Sequence, residues 1–255
     1  TQERIYDLKF YSEWLLSIGE GVATTSVVKN NNIIGLPPRK VCTSKTDLEN
    51  KVFDNFLDNY LDGQYLADRA IMSSTNDTIQ QCNYEMIEKI PGEMVISESI
   101  DICVEDDDVA KYDSEILNKV NASGIHPHRL ALKKGACIIL IRNLSIKDGH
   151  CNGSIYIILN VCKHVIHARL LGGDKNSEIF IPRIPIISKE ADFPVQFKWL
   201  QFPVLGVYYL TLNRAQGQTL KQAGMFLDRS VFLHGHLYVG FSRCGDPDCV
   251  LFPEN

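Results

Sequence analysis

The sequence has 255 residues, of which 45% are hydrophobic and 22% are charged, a balance that is typical of folded globular proteins and excludes a disordered chain. No stretch approaches the roughly 18 uninterrupted apolar residues of a membrane span, and the first residues carry no apolar block, so we expect neither membrane insertion nor secretion. The eight cysteines are scattered with no CxxC pair, which indicates reduced thiols in the cytosol or nucleus.

Charge is distributed unevenly along the chain. Residues 1–128 carry 11 Lys and Arg against 22 Asp and Glu, whereas residues 129–255 carry 15 against 9. Residues 129–169 alone hold seven basic residues and a single acid, Asp148. Such an excess attracts a phosphate backbone, although an ordinary solvated surface explains it equally well.

Two helices are predicted in the first 60 residues. The first ends at Gly19 and Gly21, and its apolar stripe consists of Phe10, Trp14, Leu15 and Ile18. Residues 22–38 are polar and end in two prolines, which predicts a loop. In the second helix, Thr46 and Glu49 form a possible capping box before a stripe of Leu48, Val52, Phe53 and Phe56.

An α/β unit follows. Residues 69–73 predict a short strand, the polar turn 74–76 leads into a helix, and residues 94–104 predict the next strand. The helix is marked by Ile79, Asn83, Met86, Ile87 and Ile90.

From Leu130 the pattern changes to short apolar runs about ten residues apart, a spacing typical of antiparallel sheets. The runs are 136–141, 155–161, 165–171 and 179–187, with Asn152-Gly153 and Gly172-Gly173 as turn signals. We expect an antiparallel meander or small barrel over residues of about 130–200. Trp199 is interpreted as core, with base stacking as the alternative.

Two segments near the end of the chain carry the chemistry. Residues 211–220 read TLNRAQGQTL, and residues 234–243 read HGHLYVGFSR. A polar loop with glycine lets backbone amides approach phosphates, and an arginine after a buried helix can stabilise a transferred phosphoryl group. Without further context such an arginine is more often a surface cation.

Together with their spacing, these segments resemble the petite-integration-frequency (Pif) family of ATP-dependent DNA helicases, especially the branch found in Helitron transposons. Other stretches match the family in the same order: FYSEWLLSIGEG at 10–21, RAIMSSTN at 69–76, LKKGACIILIRN at 132–143 and CNGS at 151–154. The resemblance covers nearly the whole chain. It implies a DNA helicase that unwinds five-prime to three-prime, of the type that serves DNA repair, recombination and telomere maintenance, in the nucleus.

The resemblance implies an α/β fold, namely a RecA-like second motor domain interrupted by a small antiparallel β-barrel. Residues 1–39 would be a helix and linker after the first motor domain, and 40–130 the first part of the second motor domain. Residues 131–200 would be the inserted barrel, and 201–255 the second part of the motor domain. For residues 204–212 the aromatic and β-branched composition predicts a strand, but the family pattern favours a helix, and we predict the helix.

The resemblance also implies functional residues. Arg243 would be catalytic and contact the γ-phosphate, with Gln216 and Gly217 binding nucleotide beside it. Single-stranded DNA would contact Thr75, Asn76, Thr211, Asn213 and Arg214. The chain departs from the family at Arg214-Ala215, at His236, and at Gly240-Phe241, where the family usually has Lys-Ser, Gln and Ala-Leu.

The 255 residues contain no G-x-x-x-x-G-K-[ST] sequence, the loop that cradles nucleotide phosphates. We therefore expect the C-terminal half of a helicase that binds ATP and Mg only together with a P-loop motor domain, its missing partner, and that is inactive alone. The opening Thr1 also suggests a piece of a longer chain. The alternative is a catalytically silent module, or transposon relic, that binds single-stranded DNA. No metal site is predicted, because Cys162, His164 and His167 lack paired ligand spacing.

Overall fold

A computed structural model describes residues 2–23, 25–28, 31–34, 41–103, 127–172, 177–187, 197–227 and 234–253. The helices are α1 (Gln2–Gly19), α2 (Lys45–Val52), α3 (Phe56–Asn59), α4 (Gly63–Ala67), α5 (Asn76–Lys89), α6 (Leu212–Ala215) and α7 (His234–Phe241), with a 3-10 turn at Pro247–Cys249. The strands of the first half are β1 (Thr25–Val28), β2 (Asn31–Ile34), β3 (Val41–Cys42), β4 (Arg69–Ser73), β5 (Met94–Glu98) and β6 (Ile100–Cys103). Those of the second half are β7 (Arg129–Lys133), β8 (Cys137–Leu140), β9 (Ile155–Val161), β10 (Val165–Leu170), β11 (Glu178–Pro182), β12 (Ile184–Ile187), β13 (Phe197–Gln201), β14 (Val204–Gly206), β15 (Tyr209–Thr211), β16 (Gln222–Phe226) and β17 (Val250–Pro253).

The chain divides into two units, the first formed by Thr1–Asn83 with Tyr208–Asn255 and the second by Tyr84–Val207. The first unit contains a sheet in the order β15-β4-β16-β17-β3, in which all pairings are parallel. Strand β4, which lies between β15 and β16, is buried from Ala70 to Ser73, as a parallel sheet covered by helices on both sides requires. The first unit is therefore an α/β fold, as predicted.

Helices pack on both faces of this sheet. On one face, a Cβ atom added at Gly224 of β16 would lie 2.9 Å from Ile71 Cγ1 and 3.1 Å from Val52 Cγ2 of α2. The absence of a side chain at Gly224 thus allows α2 to approach the sheet closely. On the other face lies one apolar cluster, which includes Ile18 of α1, Met72, Met225, Leu212 of α6 and Phe241 of α7.

Helix α1 ends at Gly19 as the sequence predicts, but its buried face differs at one position. Phe10 is 59% exposed, whereas its neighbour Tyr11 is 5% exposed. Tyr11, Trp14 and Ile18 follow one another at intervals of three and four residues, so they share one helix face. Phe10, four residues before Trp14, lies at the exposed border of this face, so the prediction that it belongs to the core is wrong.

The N-cap of helix α2 lies two residues before Thr46, the predicted N-cap. Its N-cap is Ser44, whose Oγ accepts a hydrogen bond from the backbone N–H of Asp47 at 3.1 Å. The Asp47 carboxylate in turn accepts the backbone N–H of Thr43 at 2.9 Å. Thr46 therefore lies inside the helix, and the prediction that it caps the helix is wrong. The predicted stripe of Leu48, Val52, Phe53 and Phe56 is buried.

Strands occur in two stretches where none was predicted. One of these stretches was predicted as a loop and the other as a helix. The predicted loop contains the antiparallel hairpin of β1 and β2, whose pairing runs from Thr25↔Ile34 to Val28↔Asn31. Within residues 204–212, where the family pattern favours a helix, residues 204–206 form β14 and residues 209–211 form β15, and helix α6 begins only at Leu212. Each of these short strands finds a partner, because β14 pairs with β8 and β15 pairs with β4. The local strand pattern was right, and the predicted helix is wrong.

Among its described residues, the second unit contains three antiparallel sheets, ordered β11-β10-β9-β8-β14, β12-β13-β6 and β5-β7. Strands β8 to β11 pair in chain order, which is the predicted meander, and β9 spans the predicted 155–161. The predicted strands 94–104 and 179–187 are each divided into two strands with different partners. Trp199 is 2% exposed and belongs to the core of this unit, which contradicts the base-stacking alternative.

The predicted insert, residues 131–200, lies within the second unit. This unit also includes β5, β6 and β7, because β5 pairs with β7 from Met94↔Lys133 to Glu98↔Arg129 and β6 pairs with β13. The closed barrel and the predicted domain bounds stay predictions.

Candidate nucleic-acid and nucleotide site

The segment predicted to sense nucleotide and DNA leaves the sheet at the carboxyl end of β15. Thr211 caps helix α6, and its Oγ1 accepts a hydrogen bond from the backbone N–H of Arg214 at 3.3 Å. The helix ends after four residues, where the Gln216 N–H donates to the Asn213 carbonyl at 3.3 Å. The side chains of Asn213 and Gln216 are exposed. This short turn therefore presents polar groups to solvent next to the sheet.

Gly217 follows this turn in a left-handed backbone conformation, with φ at 87°. A Cβ atom there would meet no atom within 4 Å, so space does not restrict the position. The backbone conformation itself favours glycine. An exposed glycine next to the exposed Gln216 leaves the main chain open to a ligand, as a nucleotide-contacting loop requires.

Thr75 and Asn76 lie at the carboxyl end of β4, where helix α5 begins. Thr75 Oγ1 lies 2.7 Å from Thr78 Oγ1 and accepts the Thr78 N–H at 3.4 Å. The Thr75 carbonyl accepts the N–H of Ile79 at 3.2 Å, the first bond of the helix. Thr75 therefore caps α5 and its hydroxyl is committed to the helix, while Asn76 is exposed.

The structure brings the predicted DNA-contacting residues together. Strands β4 and β15 are parallel neighbours, and Thr211 pairs with Ser73. Because neighbouring strands lie about 4.8 Å apart, the loops after both strands emerge side by side at the same edge of the sheet. Asn76 and Asn213 add exposed amides to this edge. The five predicted DNA-contacting residues therefore form one surface, which we call the carboxyl edge: Thr75, Asn76, Thr211, Asn213 and Arg214.

Arg214 is the cation of the carboxyl edge. It is half-buried, and burial lowers the pKa of its guanidinium. An arginine remains charged at neutral pH even so, because its ordinary pKa is above about 12. A charge that is already partly desolvated interacts more strongly with a phosphate than a fully hydrated one.

Arg243 lies two residues beyond helix α7 and is half-buried. Its Nε donates to the Val239 carbonyl at 2.8 Å, its Nη1 to the Gln218 carbonyl at 3.3 Å and its Nη2 to Ser242 Oγ at 2.8 Å. The backbone also joins the two segments, since the Leu220 N–H donates to the Arg243 carbonyl at 3.0 Å. The structure thus places Arg243 next to the loop that contains Gln216 and Gly217. Within the described residues no carboxylate pairs with its guanidinium.

The unusual Gly240-Phe241 pair fits its surroundings. A Cβ atom at Gly240 would lie 2.7 Å from Met225 Cε and 2.8 Å from Leu212 Cδ2, closer than real contacts allow. The larger Phe241 is buried and meets Trp14 edge-on, with ring centroids 5.1 Å apart. The smaller residue faces the sheet and α6, and the larger one faces α1. The two departures from the family pattern are therefore matched by the packing around α7.

The basic surface is smaller than the charge count suggests. Lys133 is 5% exposed, and its Nζ donates to the carbonyls of Glu88 and Ile90 at the end of α5. Arg129 lies 3.5 Å from the Glu98 carboxylate, and Lys221 lies 2.7 Å from Asp68. Buried or paired cations attract DNA less than free ones, so the count of seven basic residues in 129–169 overstates this surface.

The hydrogen bonds of Asn83, a residue near the site, were not predicted from the sequence. Asn83 was assigned to the apolar stripe of α5, yet it is 6% exposed and its side chain bonds to the main chain of β15. An amide in the buried stripe of a predicted helix needs a polar partner, and that signal was available in the sequence.

The described residues contain neither a metal-ligand cluster nor a membrane-spanning helix. Across the described ranges, no group of three or more His, Cys, Asp or Glu side chains is placed to hold a metal ion. None of the helices described here is long and apolar enough to span a membrane.

Comparison with known proteins relates this arrangement to one group of helicases. The family model of the DNA helicase Pif1 2B domain matches residues 115–161. The ATP-dependent DNA helicase PIF1 of Xenopus laevis is 22% identical over 179 residues, 66% of this chain and 24% of that protein. This chain is similar to the Pif1 DNA helicases.

Solved Pif1 structures share the fold. The crystal structure of Pif1 helicase from Candida albicans matches with a TM-score of 0.56 and 18% identity, over 80% of this chain and 53% of that one. The Bacteroides Pif1 helicase in complex with ADP-AlF3 and ssDNA matches with a TM-score of 0.57 and 16% identity, over 95% of this chain and 48% of that one. The chain thus spans about half the length of these Pif1 structures, and it shares their RecA-like helicase fold.

Proposed function

We propose that this chain is the C-terminal part of an ATP-dependent DNA helicase that unwinds DNA five-prime to three-prime. In this proposal the carboxyl edge contacts single-stranded DNA, and Arg243 contacts the γ-phosphate of ATP bound to a P-loop motor domain. The observation that carries the proposal is the register Thr211↔Ser73, which sets the loops after β15 and β4 side by side. Kinship with the Pif1 helicases supports it.

The carboxyl edge has the chemistry of a backbone-binding surface. Asn76 and Asn213 supply exposed amides, and Arg214 supplies a charged guanidinium. Amide donors and guanidinium forks bind phosphate oxygens without reading sequence, so we expect binding that tolerates most base sequences. A helicase requires this tolerance, since it moves along any strand.

Arg243 fits a phosphate-contacting role. A guanidinium has five N–H donors, and the bonds to Val239, Gln218 and Ser242 use three of them. These bonds orient the planar group while two donors remain for phosphate oxygens. No P-loop sequence occurs in the 255 residues, so the chain supplies this arginine rather than the groups that hold ATP and Mg.

Binding to a fluorescent oligo-dT, measured by anisotropy over a salt series, tests the proposal. The logarithm of the binding constant for single strands falls with the logarithm of salt by about 0.7 per neutralised phosphate. Arg214→Ala should weaken binding and reduce this slope by about 0.7, because one phosphate contact is lost. Lys9→Ala is the control, since Lys9 is exposed on α1 and its removal changes the net charge equally. The same slope for both variants and the wild type would contradict the assignment of Arg214.

The second candidate is a catalytically silent module that binds single-stranded DNA, favoured by the absence of a P-loop sequence in these residues. Both candidates predict DNA binding through Arg214, so that measurement does not separate them. The two candidates are separated by adding a Pif1-type P-loop motor domain in trans. A helicase part should then support DNA-stimulated ATP hydrolysis that Arg243→Ala abolishes, whereas a silent module should not.

The more specific roles come from the resemblance alone. We propose a nuclear location, a place in the Helitron branch, and a task in repair, recombination or telomere maintenance. Imaging of the tagged protein tests the location, and sensitivity of a deletion strain to DNA-damaging agents tests the role in repair.

A further inference from the structure

Strand β15 lies at the edge of the parallel sheet, and a side chain bonds to its outer main chain. Asn83 Nδ2 donates to the Tyr209 carbonyl at 2.9 Å, and the Tyr209 N–H donates to Asn83 Oδ1 at 3.0 Å. Both residues are buried. The carboxamide thus offers one donor and one acceptor to the same residue, as a neighbouring strand would.

Asn83 belongs to the helix that begins at the carboxyl edge. It lies seven residues after Asn76, about two turns along α5. Tyr209, its partner, lies two residues before Thr211. The pair of hydrogen bonds therefore links the helix that starts at one DNA-contacting loop to the strand that leads into the other.

We propose that Asn83 is a positioning residue that aligns the two loops of the carboxyl edge, and so makes them one binding surface for single-stranded DNA. The inference rests on the proposed function for the identity of the ligand. The structural part of the inference does not depend on the ligand. Without the Asn83 carboxamide, Tyr209 loses two hydrogen bonds on the outer edge of β15. The turn from Thr211 to Arg214 is then no longer held in register with Thr75 and Asn76.

The Tyr209 side chain is held by other groups. Tyr209 Oη donates to Glu49 Oε1 of α2 at 2.7 Å, and Lys45 Nζ lies 3.8 Å from the same oxygen. Cys82 of α5 also faces the Tyr209 hydroxyl. These titratable groups act on the ring end of Tyr209, whereas Asn83 acts on its main chain, so a change at Asn83 leaves the ring anchored.

An isosteric substitution separates the bonds from the packing. In Asn83→Asp the side chain keeps its shape, but at pH 7.5 a carboxylate has no proton to donate to the Tyr209 carbonyl and repels it. At pH 5 a buried carboxyl group, whose pKa is raised by burial, takes up a proton and again offers one donor and one acceptor. We expect affinity for oligo-dT to fall about tenfold relative to wild type at pH 7.5 and to return to within about threefold at pH 5.

Two further variants make the measurement specific. Gln81→Glu adds the same negative charge to an exposed position of α5 and should change affinity little at either pH. Asn83→Ala removes both bonds without adding charge, and should bind weakly at both pH values. Hydrogen exchange of the Tyr209 amide in the native protein should be faster in Asn83→Ala, because this amide donates to Asn83 Oδ1. In Asn83→Asp the carboxylate still accepts this N–H, so exchange there should stay close to that of the wild type.

The outcomes are distinguishable. If Arg214→Ala weakens binding but Asn83→Asp binds like Gln81→Glu, the positioning role is overturned and the proposed function stands. Unchanged exchange of the Tyr209 amide in Asn83→Ala would also overturn it. If the wild-type chain does not bind single-stranded DNA at all, the proposed function fails, and the inference fails with it.

Discussion

Gly240 allows helix α7 to lie directly against Met225 of β16 and Leu212 of α6. The space that a side chain would occupy is filled by the ends of these two residues. Both neighbours belong to the apolar cluster that also contains Phe241. A side chain at Gly240 therefore forces the ends of Met225 and Leu212 to move, next to the helix that leads to Arg243.

We expect Gly240→Ala to lower the free energy of unfolding by about 1–3 kcal/mol, because the added methyl group overpacks this contact. Urea denaturation followed by circular dichroism measures the change. Gly235→Ala is the matched control in the same helix, where a Cβ atom would meet nothing within 4 Å. It should be neutral or stabilising through helix propensity. Equal stability of the two variants would mean that α7 is less closely packed than the structure shows.

Single residues also decide what the charges do. Lys133 counts as a surface cation in the sequence, yet its ammonium group bonds to the last carbonyls of α5. Such a bond satisfies acceptors that the helix end leaves unpaired. Arg214, by contrast, lies at the carboxyl edge. The net charge of either half of the chain does not distinguish a buried lysine that bonds to a helix end from an arginine at the carboxyl edge.

At the scale of elements, helix α1 packs against α7 and stabilises it. Tyr11 donates its hydroxyl to the Phe241 carbonyl at 2.9 Å, and its ring stacks with Trp14 at 5.8 Å. At its other end, α1 contributes Arg4, which pairs with Asp246 and lies 2.8 Å from Asp248. These contacts lie on both sides of Arg243 in the chain. Helix α1 therefore orients the segment that carries this arginine.

Tyr11→Phe should lower the free energy of unfolding by about 1 kcal/mol at neutral pH, because a buried carbonyl loses its donor. Burial raises the pKa of Tyr11 above its usual value. The folded state therefore holds the phenolic proton at pH values where the unfolded chain releases it, and stability falls as pH rises above about 10.

Urea denaturation at pH 7, 10 and 11 measures this effect. The free energy of unfolding of the wild type should fall over that range. That of Tyr11→Phe should fall less, because this variant lacks the Tyr11 hydroxyl, whose pKa is raised in the folded state. Tyr238→Phe serves as the control, because Tyr238 is 39% exposed and its ring against Gly19 is kept. If Tyr11→Phe and wild type fall in parallel, the Tyr11 hydroxyl does not stabilise the fold as described.

At the scale of the whole molecule, the proposed function gives this chain one side of a nucleotide site. Arg243 and the loop at Gln216 and Gly217 are present, but the sequence that cradles phosphates is not among the 255 residues. The share of the solved Pif1 chains that it matches, 53% and 48%, agrees with this division.

The purified chain should therefore release no phosphate from ATP above the buffer background, with or without single-stranded DNA. A coupled phosphate assay with a complete Pif1-type helicase as the positive control measures this. DNA-stimulated hydrolysis that disappears in Arg243→Ala would contradict the prediction, because it would require a second phosphate-binding site in these residues.

The sequence by itself determined the elements with strong local periodicity. Helix α1 with its glycine end, strand β4 with the following helix, and the meander β8 to β11 were all predicted, because alternation and helical spacing are local properties. The loops that carry Thr75 and Arg214 were predicted through a resemblance that also rests on local sequence. Their roles stay predictions.

Only the tertiary structure decided which segments pair and which polar groups meet. Residues 204–206 and 209–211 are strands because β8 and β4 lie beside them, and the short β17 forms because β16 and β3 flank it. The same reason explains Asn83, Lys133 and Gly240: their partners lie between 15 and 126 positions away in the chain. Local sequence patterns report burial and backbone preference, whereas pairing and hydrogen bonding across the fold depend on residues that only the folded chain brings together.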